Sequence, residues 1–203
     1  HFIASKFLNI PAVWNIHAEK SLVANKLIFK WMYRYFLKNK LTFMSVSKYI
    51  LLKNLSYMKE SLFPDFENIP IVHATVDLEK FLSIERRYSN RKEDVIIGSV
   101  GRLNWAKGYD LLIKSISILK KNHPNFQMKI VGDGPYRSKL ENMIDQYSLK
   151  ENVFILGELH YNDIPEFYNS INLYIQPSIS EGSPITLKEA MASCLPILAS
   201  TAG

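Results

Sequence analysis

One cysteine, Cys194, stands among the 203 residues of the chain, so no disulfide can form within it. It follows an Ala-Met-Ala-Ser run and is expected in the core as a small apolar residue, in keeping with a reducing compartment. No run of eighteen apolar residues exists to cross a bilayer as a helix, and no basic-then-apolar leader is recognisable. No segment repeats, none is low in complexity, and Asp and His do not gather into a metal-binding set. These absences exclude a disulfide scaffold and a helical membrane span. They leave a soluble or membrane-peripheral chain, expected in the cytoplasm.

What is present is a globular composition, 47% hydrophobic and 22% charged, with length for one large domain or two small ones. Helical periodicity is already under way at Ile3, and Gly203 follows directly on a strand pattern, so the expectation is an internal piece of a longer protein. The net charge of +6 is unevenly spread: residues 1–60 hold ten Lys/Arg against two acids, Glu19 and Glu60, while residues 61–203 hold fifteen against seventeen. The amino-terminal part is the basic one. No nucleic-acid partner is expected.

Residues 1–8 read as the end of a helix, and Pro11 opens an apolar strand over Ala12 to Ile16. His17 falls just past its carboxyl end, where ligands of open parallel sheets gather; it either faces a cleft or is a loop histidine capping a helix. Ser21 to Leu37 reads as a helix on which Lys26, Lys30, Arg34 and Lys38 recur every four residues in one row. Like charges so spaced cost a helix a few tenths of a kcal/mol per pair. With Trp31, Tyr33, Tyr35 and Phe36 beside them, they suit an anionic membrane surface, worth about 1 kcal/mol per cation near the lipid, or else form a solvated face over a buried one. Leu41 to Val46 is a second buried strand, Ser47 the cap of a helix over Lys48 to Leu55, and Ile71 to Val76 a short third strand. Residues 83–94, dense in charge and poor in apolar side chains, read as a linker.

From Val95 the pattern is regular. Apolar runs at Val95 to Val100, Phe126 to Val131, Val153 to Leu156, Leu173 to Ile175 and Pro196 to Ala199 alternate with helical segments near 108–121, 136–147, 163–169 and 184–193. Such alternation gives a parallel sheet covered on both faces, a Rossmann-like lobe. Gly132-Asp133-Gly134-Pro135 begins a dinucleotide fingerprint, but its third glycine should fall at Arg137, so a nicotinamide dehydrogenase is not indicated and the turn reads as structural.

Two stretches of this half carry chemistry. Gly101-Arg102 and Lys107-Gly108 bracket the turn after the first strand, a glycine letting a ligand approach the backbone and two cations standing beside it. A departing diphosphate gathers negative charge, and one such charge pair at 4 Å is worth up to about 4 kcal/mol at an effective dielectric near 20, before desolvation; the alternative is ordinary loop charge. In the second stretch Ser183 is expected as N-cap and Pro184 as first helical residue. The free amides and positive end of that helix then face the loop holding Glu181, and Glu189 follows about 7.5 Å along the axis. A phosphate site flanked by two hydroxyl-binding carboxylates matches the layout of a nucleotide sugar.

Pro177-Ser178, then Glu181-Gly182-Ser183-Pro184, then Glu189-Ala190-Met191-Ala192 resembles the glutamate, seven residues, glutamate signature of the retaining two-lobed (GT-B) glycosyltransferases of family 4, also called group 1. The resemblance implies an α/β fold with two Rossmann-like lobes. Residues 1–80 would be an incomplete acceptor-side lobe, 81–94 the linker and 95–203 the nucleotide-sugar-binding lobe. Ala74-Thr75 replaces the family's usual Asn-Gly turn at the crossover. It further implies sugar transfer with retention from a nucleotide-diphosphate sugar to a glycan or lipid-linked acceptor in cell-surface polysaccharide synthesis, with no cofactor and no metal. By the same resemblance Gly101, Arg102 and Lys107 hold the donor diphosphate and Glu181 lies near the donor sugar. Amides from Gly182 to Leu187 meet the phosphates, helped by Ser183 and Thr186 because Pro184 has no amide to give; Glu189 binds the ribose; His17 lies near donor sugar and acceptor. Two other readings stand beside it: a nucleotide-sugar epimerase, and a non-enzymatic membrane-docking module.

Overall fold

The computed structural model describes residues 13–16, 42–56, 68–82 and 95–202. The chain divides into two compact units, one over His1–Ala74 and one over Thr75–Ala202.

In the first unit, β1 (Val13–Ile16) runs parallel to β2 (Thr42–Ser45), pairing Val13 with Thr42 and Ile16 with Ser45. Ser47 caps α1 (Lys48–Ser56): its hydroxyl accepts the amide of Ile50 at 3.2 Å, so one of the helix's orphan donors is satisfied. The expected strand at 71–76 shrinks to a single bridge between Ile71 and Ser45. Beyond it the chain is tied instead by His73, whose Nδ1 lies 2.9 Å from the carbonyl of Val46. His17, the basic row Lys26, Lys30, Arg34 and Lys38, and the linker 83–94 lie outside the described residues.

The second unit begins at Thr75, ahead of the boundary expected at Lys80. The reason is packing: α2 (Leu78–Leu82) lies against α6 (Ile185–Ala192), and Phe81 is buried edge-on to Tyr168. The remaining elements are β3 (Val95–Val100), a 3-10 turn at Trp105–Lys107, α3 (Tyr109–Asn122), β4 (Phe126–Val131) and α4 (Arg137–Gln146), followed by β5 (Val153–Gly157), α5 (Ile164–Asn169), β6 (Leu173–Gln176), α6 and β7 (Ile197–Ala199). The five strands form one wholly parallel sheet in the order β5-β4-β3-β6-β7.

Helices cover both faces, which is why the strands read as nearly continuous apolar runs. Successive residues supply opposite layers. Met128, Ile130 and Ile175 pack with Leu112, Ile113 and Ile116 of α3 and with Leu140 and Ile144 of α4. Val131 and Tyr174 face the other way, into Phe81, Phe167, Tyr168, Ala190 and Leu195.

Two local expectations are corrected. Pro184, with φ −68° and ψ 110°, is the N-cap of α6 rather than its first turn, and the helix starts at Ile185. Ser183 does not cap it; its hydroxyl accepts Lys188 Nζ at 2.8 Å. Cys194 is exposed rather than in the core. It closes α6 in the left-handed region at φ 53°, with its own amide bonded to Met191 O and that of Leu195 to Ala190 O, the paired bonds that let a helix end and bury the following apolar residue. A side chain there is strained. Cys194→Gly is therefore expected to raise stability by about 1 kcal/mol, the left-handed penalty exceeding the entropy that glycine adds to the unfolded chain; urea unfolding measures it, and an unchanged or lowered midpoint contradicts it.

Candidate active site

The chain runs outward from β3 to β4 and β5, then crosses back to place β6 on the other side of β3. At such a switch the loops leaving two adjacent strands diverge, opening a crevice at their carboxyl ends, where ligands of open parallel sheets bind. Here those loops are residues 101–108, after β3, and 177–184, after β6. They are pinned to each other: Ala106 O accepts the amides of Ile179 at 2.8 Å and Ser180 at 3.2 Å. Gly108, at φ 65°, has no room for a Cβ beside the carbonyl oxygen of Pro177.

Across this crevice Lys107 Nζ donates to Glu181 Oε1 at 2.6 Å, with side chains only 19% and 11% exposed. The same oxygen accepts Gln176 Nε2 at 2.7 Å and the hydroxyl of Ser178. Glu181 Oε2 takes no hydrogen bond from any described residue. Gly101 lets the Lys107 stem lie close, since a Cβ there would sit 3.3 Å from Lys107 Cε. Burial pushes the nearby Tyr109 hydroxyl up to about 12, with the charge of Glu181 adding to the shift.

Glu189 belongs to an adjoining cluster. It is 6% exposed, and the Tyr168 hydroxyl lies 3.0 Å from its Oε2 and 2.9 Å from Thr186 O. Burial raises the Glu189 carboxyl above the usual carboxylate range, against the lowering pull of Tyr168 and Lys80. Burial likewise raises Tyr168, so its hydroxyl stays protonated and donates. One hydroxyl proton serves one acceptor at a time; a protonated Glu189 would donate to Tyr168 and free that proton for Thr186 O. Thr186 links the two clusters, its Oγ1 donating to Gln176 Oε1 at 3.3 Å.

The structure therefore brings Lys107 and Glu181 into contact, sets Gly101 against Lys107, and joins Thr186 and Glu189 to the same network. Arg102 is exposed, and no described residue pairs with its side chain. Gly182, Ser183 and Leu187 are half-buried beside the network, and no described residue accepts the amides of Gly182, Ser183, Ile185 or Thr186. In the Gly132-Asp133-Gly134 turn, Gly132 abuts Gly101 O, and Asp133 is held below the usual carboxylate range by the Gly134 amide and then by Arg137. Among the described residues no three of His, Cys, Asp and Glu stand close enough to hold a metal ion, and no helix is long and apolar enough to cross a membrane. Sequence reasoning missed Gln176, Tyr174 and Tyr168. The one available signal was a glutamine and tyrosines inside otherwise apolar segments.

A family profile described as Glycosyl transferases group 1 matches residues 82–203. An uncharacterized glycosyltransferase of Haemophilus influenzae is 37% identical over 107 residues, covering 53% of this chain and 30% of its own length. Protein CapJ of Staphylococcus aureus is 33% identical over 140 residues, covering 68% and 34%. The chain thus spans about a third of the length of these curated relatives. Among solved structures, Anabaena HepE superposes with a TM-score of 0.77 at 20% identity, covering 99% of this chain and 55% of HepE. Staphylococcus aureus TarM gives 0.73 at 22%, covering 95% and 37%. The fold is that of the GT-B glycosyltransferases, and the chain belongs to the group 1 glycosyltransferase family.

Proposed function

We propose that the full-length protein transfers a sugar from a nucleotide-diphosphate donor to a glycan or lipid-linked acceptor, with retention at the anomeric carbon. The observation that carries this reading is the Lys107–Glu181 pair, placed by two hydrogen-bonded loops in the switch-point crevice beside the unengaged amides of α6. Cations and amides suit a diphosphate, and a carboxylate beside them suits a sugar gaining positive charge. In the reaction the bond from the anomeric carbon to the diphosphate oxygen breaks, the acceptor oxygen bonds to that carbon, and the acceptor proton leaves with the diphosphate. Lys107 and Arg102 would neutralise the leaving group; Glu181 would support the sugar; Glu189 would bind the ribose. Related proteins add to the reading: HepE was crystallised with UDP and glucose, and a putative colanic acid biosynthesis glycosyltransferase, WcaL of Escherichia coli, is 28% identical over 138 residues. The basic row Lys26, Lys30, Arg34 and Lys38 adds an anionic membrane surface as a proposed partner.

The test is a panel of UDP and GDP sugars on the full-length protein, scored by thermal shift for binding and by product analysis for turnover. Donor binding followed by transfer to an added acceptor with retained configuration is expected. Epimer formation without acceptor, or no nucleotide binding at all, overturns the proposal.

A further inference from the structure

Gln176 closes β6, is 3% exposed, and has every hydrogen-bonding position of its amide in use. Its Oε1 accepts the Tyr174 hydroxyl at 2.6 Å and Thr186 Oγ1 at 3.3 Å; its Nε2 donates to Ser178 Oγ at 2.7 Å and to Glu181 Oε1 at 2.7 Å. Ser178, receiving that bond, donates its own hydroxyl in a hydrogen bond to the same Glu181 oxygen. Tyr174 lies two residues back on the strand and so on the same face of the sheet. The Glu181 carboxylate paired with Lys107 only accepts, so the amide nitrogen faces it and Oε1 is left for the Tyr174 hydroxyl, which burial keeps protonated.

A buried amide is a costly choice for filling space, because an apolar side chain of similar size needs no partners. This one links the sheet core to the carboxylate assigned above to the donor sugar. We propose that Gln176, acting through Ser178 and directly, is a positioning residue for Glu181 in sugar transfer. The inference rests on the transfer reading given above. When a diphosphate draws Lys107 towards itself, Glu181 loses its one charged partner in the network. Gln176 and Ser178 are neutral donors with no comparable pull towards phosphate, so they keep Oε1 in place. Oε2 is then the oxygen left for the substrate.

The experiment compares Gln176→Leu and Gln176→Glu with the wild type in the full-length protein, following kcat and donor KM across pH and Tm across the same range. Gln176→Leu is expected to lower kcat about 10–100-fold, the worth of a hydrogen bond to a charged group. Its donor KM should change far less, because Lys107 and the α6 amides are untouched. In Gln176→Glu the introduced carboxyl sits against Glu181, and its proton can replace the lost amide donor. Its affinity for that proton is raised by the neighbouring carboxylate, so the contact holds at low pH and is lost as pH rises. This variant should therefore approach wild-type kcat at the acid end and lose it with rising pH. Its Tm should fall away from the wild type in the same direction.

Wild-type kcat in Gln176→Leu overturns the proposal. So does a Gln176→Glu enzyme whose kcat profile is parallel to the wild type while KM and Tm deteriorate together, which is what a purely structural role predicts. A wild-type protein that turns over no nucleotide sugar, with the Tm gap still widening as pH rises, overturns the transfer reading and the purpose assigned to the contact, while the contact itself stands.

Discussion

Glu181→Gln in the full-length protein is expected to lower kcat for sugar transfer at least about 100-fold, the order seen when one group that stabilises developing charge is removed. Glutamine keeps the shape, and its oxygen can still accept from Gln176 and Ser178. What disappears is the negative charge, and that loss matters most as the sugar becomes positive, so kcat should suffer more than donor KM. The Lys107 partner should behave differently. Lys107→Met removes the cation assigned to the diphosphate while retaining an apolar stem beside Gly101, and should raise donor KM and lower kcat/KM about 10–100-fold. Because the two groups touch at 2.6 Å, their losses should not add in the double variant. Steady-state kinetics on the four proteins checks this, and undiminished kcat in Glu181→Gln removes the carboxylate from the mechanism.

Gly108→Ala is the change expected to harm the fold most. Gly108 sits at φ 65°, and a Cβ there would overlap the Pro177 carbonyl oxygen, a backbone atom that no rotamer can move. Left-handed strain of roughly 1–2 kcal/mol and the enforced separation of the two loops together should exceed about 3 kcal/mol. At roughly 2–4 °C per kcal/mol for a chain of this size, Tm should fall by about 6–12 °C. Gly132→Ala, against Gly101 O at φ 135°, should be comparable. Gly101→Ala is the informative contrast. Its Cβ would meet only side-chain atoms, Tyr109 Oη at 3.1 Å and Lys107 Cε at 3.3 Å. These can shift, so its Tm should fall far less while Lys107 is displaced and donor binding weakens. Equal Tm losses at Gly101 and Gly108 would contradict the backbone argument.

The alternation of apolar runs and helical segments after Val95 already specified five strands and four helices, and each lies within a residue or two of its expected place. That pattern is legible because strands covered on both faces need apolar side chains at every position, and the connecting helices need them only along one stripe. Local chemistry near the boundaries was less legible. Pro184 suits both a cap and a first turn, and only the backbone angles distinguish them. Cys194 looks like a core residue by type, yet the bonds closing α6 place it in the left-handed corner and expose it.

The amino-acid sequence by itself determined the parallel α/β lobe, its glycine-lined turns and the candidacy of Lys107, Glu181 and Glu189, because periodicity and motif spacing are local properties of the chain. Only the tertiary structure decided that Lys107 pairs with Glu181, that Arg102 is exposed with no partner among the described residues, and that Gln176 ties Tyr174 and Thr186 to the same carboxylate. Lys107 and Glu181 lie 74 residues apart in the chain. Their meeting depends on β6 returning beside β3, and a hydrogen bond between side chains is set by that placement to within a fraction of an ångström.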